Sequence, residues 1–432
     1  MNEKKFTVAI LGCGSRGREA YGKLFYKFPE RWKIVSLCDI SEKQLHISAN
    51  EFKIEEENLF RDENEFFKEK RADLLVIATQ DRDHVRQATK ALGLGYDILL
   101  EKPISGDKKE LIDLLELQKK TGRKVMVCHV LRYAPAYAKM AEEIKSGRLG
   151  KIISINAVEQ VCYWHFSHSF VRGNWRNSEE TSPVILQKCC HDMDILQWFA
   201  GSKAKTVYST GSLAYFNKEN KPEESSDRCS ECKYINDCVY SAENLYVKRW
   251  KRENSLEDCW PFNVVCRDIP NTEEKLRKAY TENQYGRCVF SCDNDVCDNQ
   301  QVVIDFENGV HATLQMVGFS DRMGRKIQVY GTEGFIDYQG TGFNSTLRID
   351  HYGKDEKVYD EEELVKGLGP DGFGHGGGDI MMINALYEVL CGKGDDETSL
   401  ENSVESHLMS IAAEESRIKG TAMPVHGEKY GK

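Results

Sequence analysis

A lysine stands where a buried strand of this chain is expected to end. The apolar run from Tyr96 to Leu100 is typical of such a strand, and Glu101, Lys102 and Pro103 follow it directly. Proline has no backbone N–H and restricts the residue before it, so the strand stops there. Ligands of open α/β sheets bind beside the carboxyl ends of the strands. Lys102 is therefore a candidate catalytic residue rather than a surface lysine.

A glycine-rich segment near the N-terminus has the spacing of a dinucleotide-binding loop. Gly12, Gly14 and Gly17 follow a strand-like run, Phe6 to Leu11, and open a helix-like segment. In such a loop the first glycine allows a tight turn, the second lets the backbone approach a pyrophosphate, and the third lets the helix pack on the strand. Backbone N–H groups at the start of the helix then bind the anion.

Asp39 ends a second predicted strand and follows the loop by about 20 residues, where this fingerprint has an acidic residue. Its carboxylate would accept hydrogen bonds from the adenosine ribose hydroxyls and repel a 2′-phosphate, which favours NAD over NADP. Ser15 and Arg16 complete the predicted cofactor-binding loop. Arg16 keeps NADP as the alternative cofactor, although its guanidinium could equally contact the pyrophosphate.

Strand-like and helix-like segments alternate as far as residue 128. They predict a doubly wound parallel sheet of six strands, a Rossmann domain covering residues 1–128. Beyond it, strands follow one another through short turns, such as those at Asn308-Gly309 and Glu333-Gly334. We therefore expect residues 129–432 to form an α+β domain with a large, mainly antiparallel open sheet. A polar, cysteine-dense stretch, about 217–299, is expected to be an insertion in this domain.

Composition excludes some classes of function. The chain has 432 residues and a net charge of −10, which gives room for two or three domains and argues against nucleic-acid binding. No apolar run approaches the roughly 18 residues of a membrane span. The six apolar residues that precede Gly12-Cys13 are too few for the about 7–15 of a secretion signal. We expect a cytoplasmic protein whose 15 cysteines are thiols or metal ligands.

These features together resemble the glucose–fructose oxidoreductase / inositol dehydrogenase (Gfo/Idh/MocA) family. The motifs that carry the resemblance span almost the whole chain apart from the insertion: the glycine loop with Asp39, Ala78-Thr79 followed by His84, Glu101-Lys102-Pro103, Arg132-Tyr133-Ala134-Pro135, His191 and Asp194 in Cys190-His191-Asp192-Met193-Asp194-Ile195, and Gly331-Thr332-Glu333-Gly334. The resemblance implies NAD(P)-dependent hydride transfer at a carbinol of a sugar, sugar derivative or cyclitol. It also implies that the second sheet serves oligomerisation, in a homodimer or homotetramer.

The resemblance also assigns residues to the cofactor. By it, Thr79, Glu101 and Lys102 line the nicotinamide end, His84 lies nearby, and Arg132 belongs to the same cofactor-binding set.

Lys102 and His191 would then face the reacting carbon–oxygen bond. The chain departs from many polyol dehydrogenases of the family at Gln187, four residues before the histidine, where those enzymes have an aspartate. An amide does not orient an imidazole as a carboxylate does, nor does it carry a proton.

Two side chains could accept the substrate proton. A lysine begins at a pKa of about 10.4, and lowering that pKa by 3 units costs roughly 4–5 kcal/mol. His191 begins near 6.5 and needs almost no change. We expect His191 to be the easier base, with Lys102 polarising the substrate oxygen and relaying the proton. The resemblance instead gives Lys102 the larger part.

Aromatic and polar residues around these two would suit a sugar, which has an apolar face and many hydroxyls. The predicted substrate residues, besides His191, are Trp164, His165, Trp175, Arg176, Gln187 and His375. Aromatic residues at this density are also typical of a core. His375 stands in a glycine-rich stretch, which is either a loop that closes on the site or a simple connection.

Cysteines cluster in the insertion. Cys229, Cys232 and Cys238 have the spacing of metal ligands, and Cys292 or Cys288 would complete a set of four. Zinc is the leading interpretation, because a structural zinc would hold a segment with too few apolar residues to fold alone. An iron–sulfur cluster and unligated thiols are the alternatives.

Two further functions stay open. In an NAD-dependent glycosidase, transient oxidation would allow elimination of the aglycone before the hydride returns, so free sugar appears without net NADH. A non-catalytic NAD-linked sensor would bind the cofactor alone. The presence of Lys102 together with His191 argues against the sensor.

Overall fold

The computed structural model describes residues 4–253, 259–340, 345–354, 356–366, 368 and 374–426, which form two sheets and their covering helices. The first sheet has six parallel strands: β1 (Phe6–Leu11), β2 (Trp32–Cys38), β3 (Leu59–Phe60), β4 (Leu74–Ile77), β5 (Asp97–Leu100) and β6 (Val125–Val127). Their order, β3-β2-β1-β4-β5-β6, is that of a doubly wound nucleotide-binding sheet. The predicted Rossmann fold is confirmed.

Helices connect these strands, and their ends follow local capping. They are α1 (Lys23–Lys27), which continues a wider π-helical segment Ser15–Gly22, α2 (Glu42–Phe52), α3 (Glu63–Phe66), α4 (His84–Gly93) and α5 (Lys108–Thr121). Helix α5 begins where the Asp107 carboxylate accepts the N–H of Lys109 at 2.7 Å. It ends at Gly122, whose φ of +64° only glycine adopts easily.

In the described part of the chain the second sheet has nine strands, which confirms the expected large, mainly antiparallel sheet. They are β7 (Ile152–Gln160), β8 (Ala204–Ser212), β9 (Asn299–Phe306), β10 (His311–Val317), β11 (Gly324–Gly331), β12 (Gly334–Gly340), β13 (Thr346–His351), β14 (Lys357–Asp360) and β15 (Met423–Pro424). The order is β14-β13-β12-β11-β7-β10-β9-β8-β15. Only β7 and β10 pair in parallel.

The remaining described helices lie against this sheet, in the segment between β8 and β9, or against the first domain. They are α6 (Pro135–Lys145), α7 (Tyr163–Phe166), α8 (Val184–Gln187), α9 (Cys190–Ala200), α10 (Arg249–Arg252), α11 (Phe262–Val265), α12 (Glu273–Glu282), α13 (Glu361–Leu364), α14 (Gly378–Leu390) and α15 (Leu400–Lys419). Met382 and Leu386 of α14 are buried with Val8 and Trp32 of the first sheet. The predicted division after residue 128 did not anticipate that a helix near the C-terminus completes this core.

The segment between β8 and β9 has a small core of its own. Its described residues add no strand to the sheet, and residues 254–258 of the predicted insertion lie outside the described residues. Buried apolar residues pack together there, among them Ala242, Leu245, Tyr246, Val247, Phe262, Val265, Leu276 and Tyr280. The segment therefore has an apolar core that the sequence did not predict, and Tyr163 and Trp164 from outside the segment pack against it. Within the described ranges, no helix combines the length and the apolar character needed to cross a membrane.

Candidate active site

The glycine loop leaves space where a phosphate group would approach. A Cβ atom on Gly12 would lie 2.4 Å from the carbonyl oxygen of Ala78, and one on Gly17 would lie 1.8 Å from that of Gly12. A Cβ atom on Gly14 would meet nothing within 4 Å. The first and third glycines are therefore required by close packing, while the second opens the backbone to a ligand. This fits the pyrophosphate of a dinucleotide at the start of the following helix.

Asp39 lies directly beside this loop. Its Oδ2 accepts the backbone N–H of Cys13 at 2.6 Å, and its Oδ1 accepts that of Ser41 at 2.7 Å. These bonds hold the carboxylate at the end of β2, next to the loop. The position fits the role of accepting the ribose hydroxyls of an adenosine.

Glu101, at the end of β5, is held by a buried polar network. Its Oε1 accepts hydrogen bonds from Arg16 Nε at 2.9 Å and from the Tyr21 hydroxyl at 2.5 Å. Arg16 also pairs with Asp379 of α14 at 2.7 Å. Burial raises the pKa of Glu101, but Arg16 and Lys102 outweigh it, so the net pKa is lower than usual. Arg16, a predicted cofactor contact, instead joins the glycine loop to Glu101 and Asp379.

Two buried histidines hold the Pro103–Ile104 peptide, which directly follows the cis Lys102–Pro103 bond. His84 Nδ1 donates to the carbonyl oxygen of Pro103 at 2.7 Å. His407 Nε2 accepts the N–H of Ile104 at 2.9 Å, while its Nδ1 donates to a carbonyl one turn earlier in α15. His84 therefore stabilises the loop that follows Lys102. We expected it near the cofactor, and in the structure it supports this loop.

Lys102 is half-buried, and its ammonium group reaches toward α8. Its Nζ donates to the carbonyl oxygen of Gln187 at 3.0 Å, and its N–H donates to Glu101 Oε2 at 3.0 Å. Gln187, whose side-chain amide was expected to be a poor substitute for a carboxylate, therefore contributes to the site through its main-chain carbonyl. Thr79, predicted nearby, donates its hydroxyl to Gln87 at 2.6 Å.

His191 lies near the start of α9 and is 7% exposed. Its Nδ1 has no hydrogen-bond partner among the described residues. Burial lowers its pKa well below the usual range, and the nearby charge of Lys102 lowers it further. From the sequence we expected His191 to have the ordinary pKa of a histidine. The structure instead gives a neutral imidazole that resists protonation.

A row of histidine rings, not predicted as a unit, continues from His191 into the protein. The ring of His129 lies 5.6 Å from that of His191 and 5.6 Å from that of His407. The Nδ1 of His129 also lacks a partner within the described ranges. The three residues are far apart in the sequence, and no spacing signal would have joined them.

His375 stands on the other side of His191, at 6.5 Å between ring centres. Its Nδ1 lies 3.0 Å from Asp379 Oδ2, and its backbone has φ +50°, unusual for a residue other than glycine. The closing loop was predicted from the glycine-rich stretch that begins at Gly374 and contains His375, and this interpretation stays a prediction. His375 itself is brought to the site.

Three other predicted site residues have partners elsewhere. Arg132 makes two 2.7 Å bonds with the buried carboxylate of Asp194, so its guanidinium is not directed at a cofactor. Arg176 makes two 2.9 Å bonds with Asp293. Trp175 lies 6.3 Å from the ring of Phe170 and packs against the core. Ion pairs account for the positions of Arg132 and Arg176, and packing accounts for that of Trp175, so none of the three positions requires a bound substrate or cofactor.

Trp164 and His165 lie between the site and the insertion. The Arg249 guanidinium stands 3.3 Å above the Trp164 ring, and the Trp260 ring lies 4.9 Å from that of His165. Burial lowers the pKa of His165, and the charges of Lys188 and Lys102 add to this. Both predicted residues are therefore in the neighbourhood of Lys102.

The cysteines of the insertion converge on a cavity of about 40 Å³. It is lined by Cys229, Cys232, Cys238 and Cys288. Cys292 does not line it, and its thiol donates to the carbonyl oxygen of Cys288 at 3.2 Å. No group of three or more His, Cys, Asp or Glu side chains in the described part of the chain is arranged to hold a metal ion.

Two family profiles match the chain. Residues 6–129 match the oxidoreductase family, NAD-binding Rossmann fold, and residues 141–425 match the C-terminal alpha/beta domain of the same family. The chain is 22% identical over 393 residues, 88% of each protein, to a Bacillus subtilis (strain 168) protein, YteT, whose name describes an oxidoreductase. It is 23% identical over 214 residues, 49% of this chain and 56% of the relative, to an inositol 2-dehydrogenase of Rubrobacter xylanophilus.

Among solved structures, the WlbA dehydrogenase of Bordetella pertussis, in complex with NADH and UDP-GlcNAcA, has the same fold. Its TM-score is 0.68 at 15% identity, over 99% of this chain and 100% of that one. The profile matches cover most of the sequence. The chain therefore belongs to the Gfo/Idh/MocA family of oxidoreductases, and its N-terminal domain is the NAD-binding Rossmann fold of that family.

Proposed function

We propose that this enzyme uses NAD to move a hydride to or from a carbinol carbon of a sugar, sugar derivative or cyclitol, with Lys102 and His191 handling the proton. The observation that supports this most is the 3.0 Å bond from Lys102 Nζ to the carbonyl of Gln187, four residues before His191. It brings the lysine at the end of β5 next to the histidine of α9. The ligands and substrates in the names of its relatives support the substrate class.

The two side chains have different parts in this proposal. When bound, the nicotinamide supplies the hydride acceptor. Lys102 turns from the Gln187 carbonyl to donate a hydrogen bond to the substrate oxygen, which stabilises the negative charge that this oxygen gains as its proton leaves. Burial lowers the pKa of His191, which keeps its ring neutral but makes it a weak base. Its ring accepts the hydroxyl proton only when Lys102, bound to the substrate oxygen, has lowered the pKa of that hydroxyl.

The hydrogen-bond network around Lys102 holds this lysine in position and takes no part in the reaction itself. Glu101 is fixed by Arg16 and Tyr21 and accepts the backbone N–H of Lys102. His84 holds the following carbonyl. A small displacement of a reacting group lowers the reaction rate, so these hydrogen bonds contribute to catalysis by holding Lys102 in position.

Asp39 supports NAD as the preferred cofactor. Its carboxylate beside the glycine loop would repel a 2′-phosphate, and Arg16 is too occupied by Glu101 and Asp379 to bind one. We expect the dissociation constant for NADP to exceed that for NAD by at least about tenfold.

The test combines a binding titration with a substrate panel. The protein is titrated with NAD and NADP, then incubated with NAD and sugars, cyclitols or glycosides while NADH absorbance and free sugar are followed. The proposal expects NADH in proportion to oxidised product. Free sugar without net NADH would establish the glycosidase instead, and cofactor binding without turnover across the panel would establish the sensor. A Lys102→Met protein is the control for contaminating dehydrogenases.

A further inference from the structure

A buried positive charge without an anionic partner lies against the insertion. Arg172 is 1% exposed and ends the π-helical segment Ser167–Arg172. Its Nε donates to the carbonyl of Arg287 at 2.7 Å, and its Nη2 donates to the carbonyl of Tyr240 at 2.8 Å. None of the ion pairs in the described ranges includes it. A guanidinium stays charged in proteins, and a buried charge needs compensation.

Thiols surround this guanidinium. Its Nη2 lies 3.5 Å from the sulfur of Cys229, and its Nη1 has no hydrogen-bond partner within the described residues. Arg172 itself lines the cavity that four cysteines share. Tyr234 and Tyr240 also line the cavity, but a thiol ionises at a lower pKa than a phenol, so a cysteine thiolate is the anion that this charge favours most.

The backbone brings the four cysteines together from two segments. An isolated antiparallel bridge pairs Arg228 with Arg287, so Cys229 and Cys288 flank this pair, one on each side of it, and both line the cavity. Cys232 follows Cys229 through a tight turn in which its N–H donates to the Cys229 carbonyl at 3.2 Å. A short-spaced pair with a second segment opposite is the usual arrangement of a four-cysteine zinc site.

We propose that Cys229, Cys232, Cys238 and Cys288 bind one zinc ion as thiolates, with Arg172 as the buried counter-charge. Binding releases four protons and leaves a centre of net charge −2, of which the guanidinium offsets one unit. The cavity of about 40 Å³ has room for an ion, since a single water needs only about 10–15 Å³. The thiols stand around the cavity rather than at zinc–sulfur distance, so rotation about their Cα–Cβ bonds must bring them in.

This assignment replaces the sequence-based set that ended in Cys292, whose thiol points to the Cys288 carbonyl. It also puts the metal centre at the contact between the insertion and a segment outside it. Arg172 ends the segment that follows α7, which carries Trp164 and His165. The centre would fasten the insertion to that segment. The proposal is independent of the substrate and of the reaction.

The test is metal analysis of the full-length protein, purified without chelator, followed by Co²⁺ replacement of the metal. We expect about one zinc per chain and, with Co²⁺, the intense visible absorption of a tetrahedral cobalt–thiolate centre. Cys288→Ser should lower zinc to less than about 0.2 per chain, while the matched control Cys292→Ser keeps it. Zinc below that level in the wild type would overturn the proposal, as would iron with acid-labile sulfide.

A second variant tests the counter-charge without removing a ligand. Arg172→Lys keeps the charge and should keep the metal, whereas Arg172→Leu should weaken Co²⁺ affinity at least about tenfold. Equal affinities in the two variants would show that Arg172 does not compensate a thiolate centre. If Cys288→Ser fails to fold, the loss of Co²⁺ absorption in Cys232→Ser, whose side chain is only half-buried, decides the same question.

Discussion

The two sides of the active site differ in how completely their polar groups are paired. On the lysine side, Glu101, Lys102 and Pro103 each have a partner within 3.0 Å. On the histidine side, the Nδ1 atoms of His191 and His129 have no partner among the described residues, although both rings are buried. Buried polar atoms are nearly always paired. The lysine side is therefore organised in advance, and the histidine side keeps bonding capacity for a bound molecule.

Removing the lysine should have the largest effect. Lys102→Met deletes the donor to the substrate oxygen, and we expect kcat to fall by about 10³-fold. NAD binding should change by less than about threefold, because the glycine loop is untouched. Steady-state kinetics and a fluorescence titration with NAD measure the two quantities. Lys205→Met, on the exposed face of β8, is the control. Equal activity in both variants would remove the lysine from the mechanism.

Breaking the network behind the lysine should cost stability as well as activity. Arg16→Met leaves the buried carboxylates of Glu101 and Asp379 without their shared cation. We expect a loss of about 3 kcal/mol in the free energy of unfolding. Arg61→Met breaks an exposed pair with Glu42 and should cost less than about 1 kcal/mol. Denaturant unfolding compares the two, and similar losses would contradict a preorganised lysine side.

The histidine behind the lysine loop should make the protein sensitive to acid. Burial lowers the pKa of His407 to about 3. The unfolded chain then binds more protons than the folded one, so stability is full above about pH 6.5 and falls as the pH drops toward 3. Between pH 6.5 and 5 we expect a loss of about 2 kcal/mol from this residue.

His407→Gln, which can still accept the Ile104 N–H, should lessen the fall in thermal midpoint between pH 7 and 5. His311→Gln, an exposed pair with Asp305, should leave it unchanged. A His407→Gln protein with the wild-type pH dependence would show that this ring is not held neutral.

The smallest expected effect is a shift of the pH dependence of kcat/KM toward lower pH. Because burial and Lys102 lower the pKa of His191, the acid limb of kcat/KM for oxidation should lie below the ordinary histidine value of about 6.5. His191→Asn should abolish that limb. An acid limb above pH 7 in the wild-type enzyme would mean that another group accepts the proton.

The sequence was most informative where local spacing determines the structure. The glycine loop, Asp39 and the end of β5 were predicted correctly because strand, turn and helix follow one another along the chain. The same holds for α5 and α15, whose ends are set by nearby caps.

The contacts that organise the site were not predictable in this way. Arg16 with Asp379, Ile104 with His407 and His129 with His191 each join residues that only the tertiary fold brings together. The ion pair of Arg132 with the buried carboxylate of Asp194 was not predicted, because a motif does not reveal which side chain lies beside it in the fold. The ordinary pKa assumed for His191 failed for the same reason, since burial is a property of the fold.

The most direct test of the account is a double-mutant cycle with Lys102→Met, His191→Asn and the double variant. Turnover is measured on the substrate that the panel identifies, with NAD saturating. If the two residues work as one proton-handling unit, the double variant should be about as slow as Lys102→Met alone. If the two losses multiply, the residues act independently, and the proposed partnership across the two sides of the site is wrong.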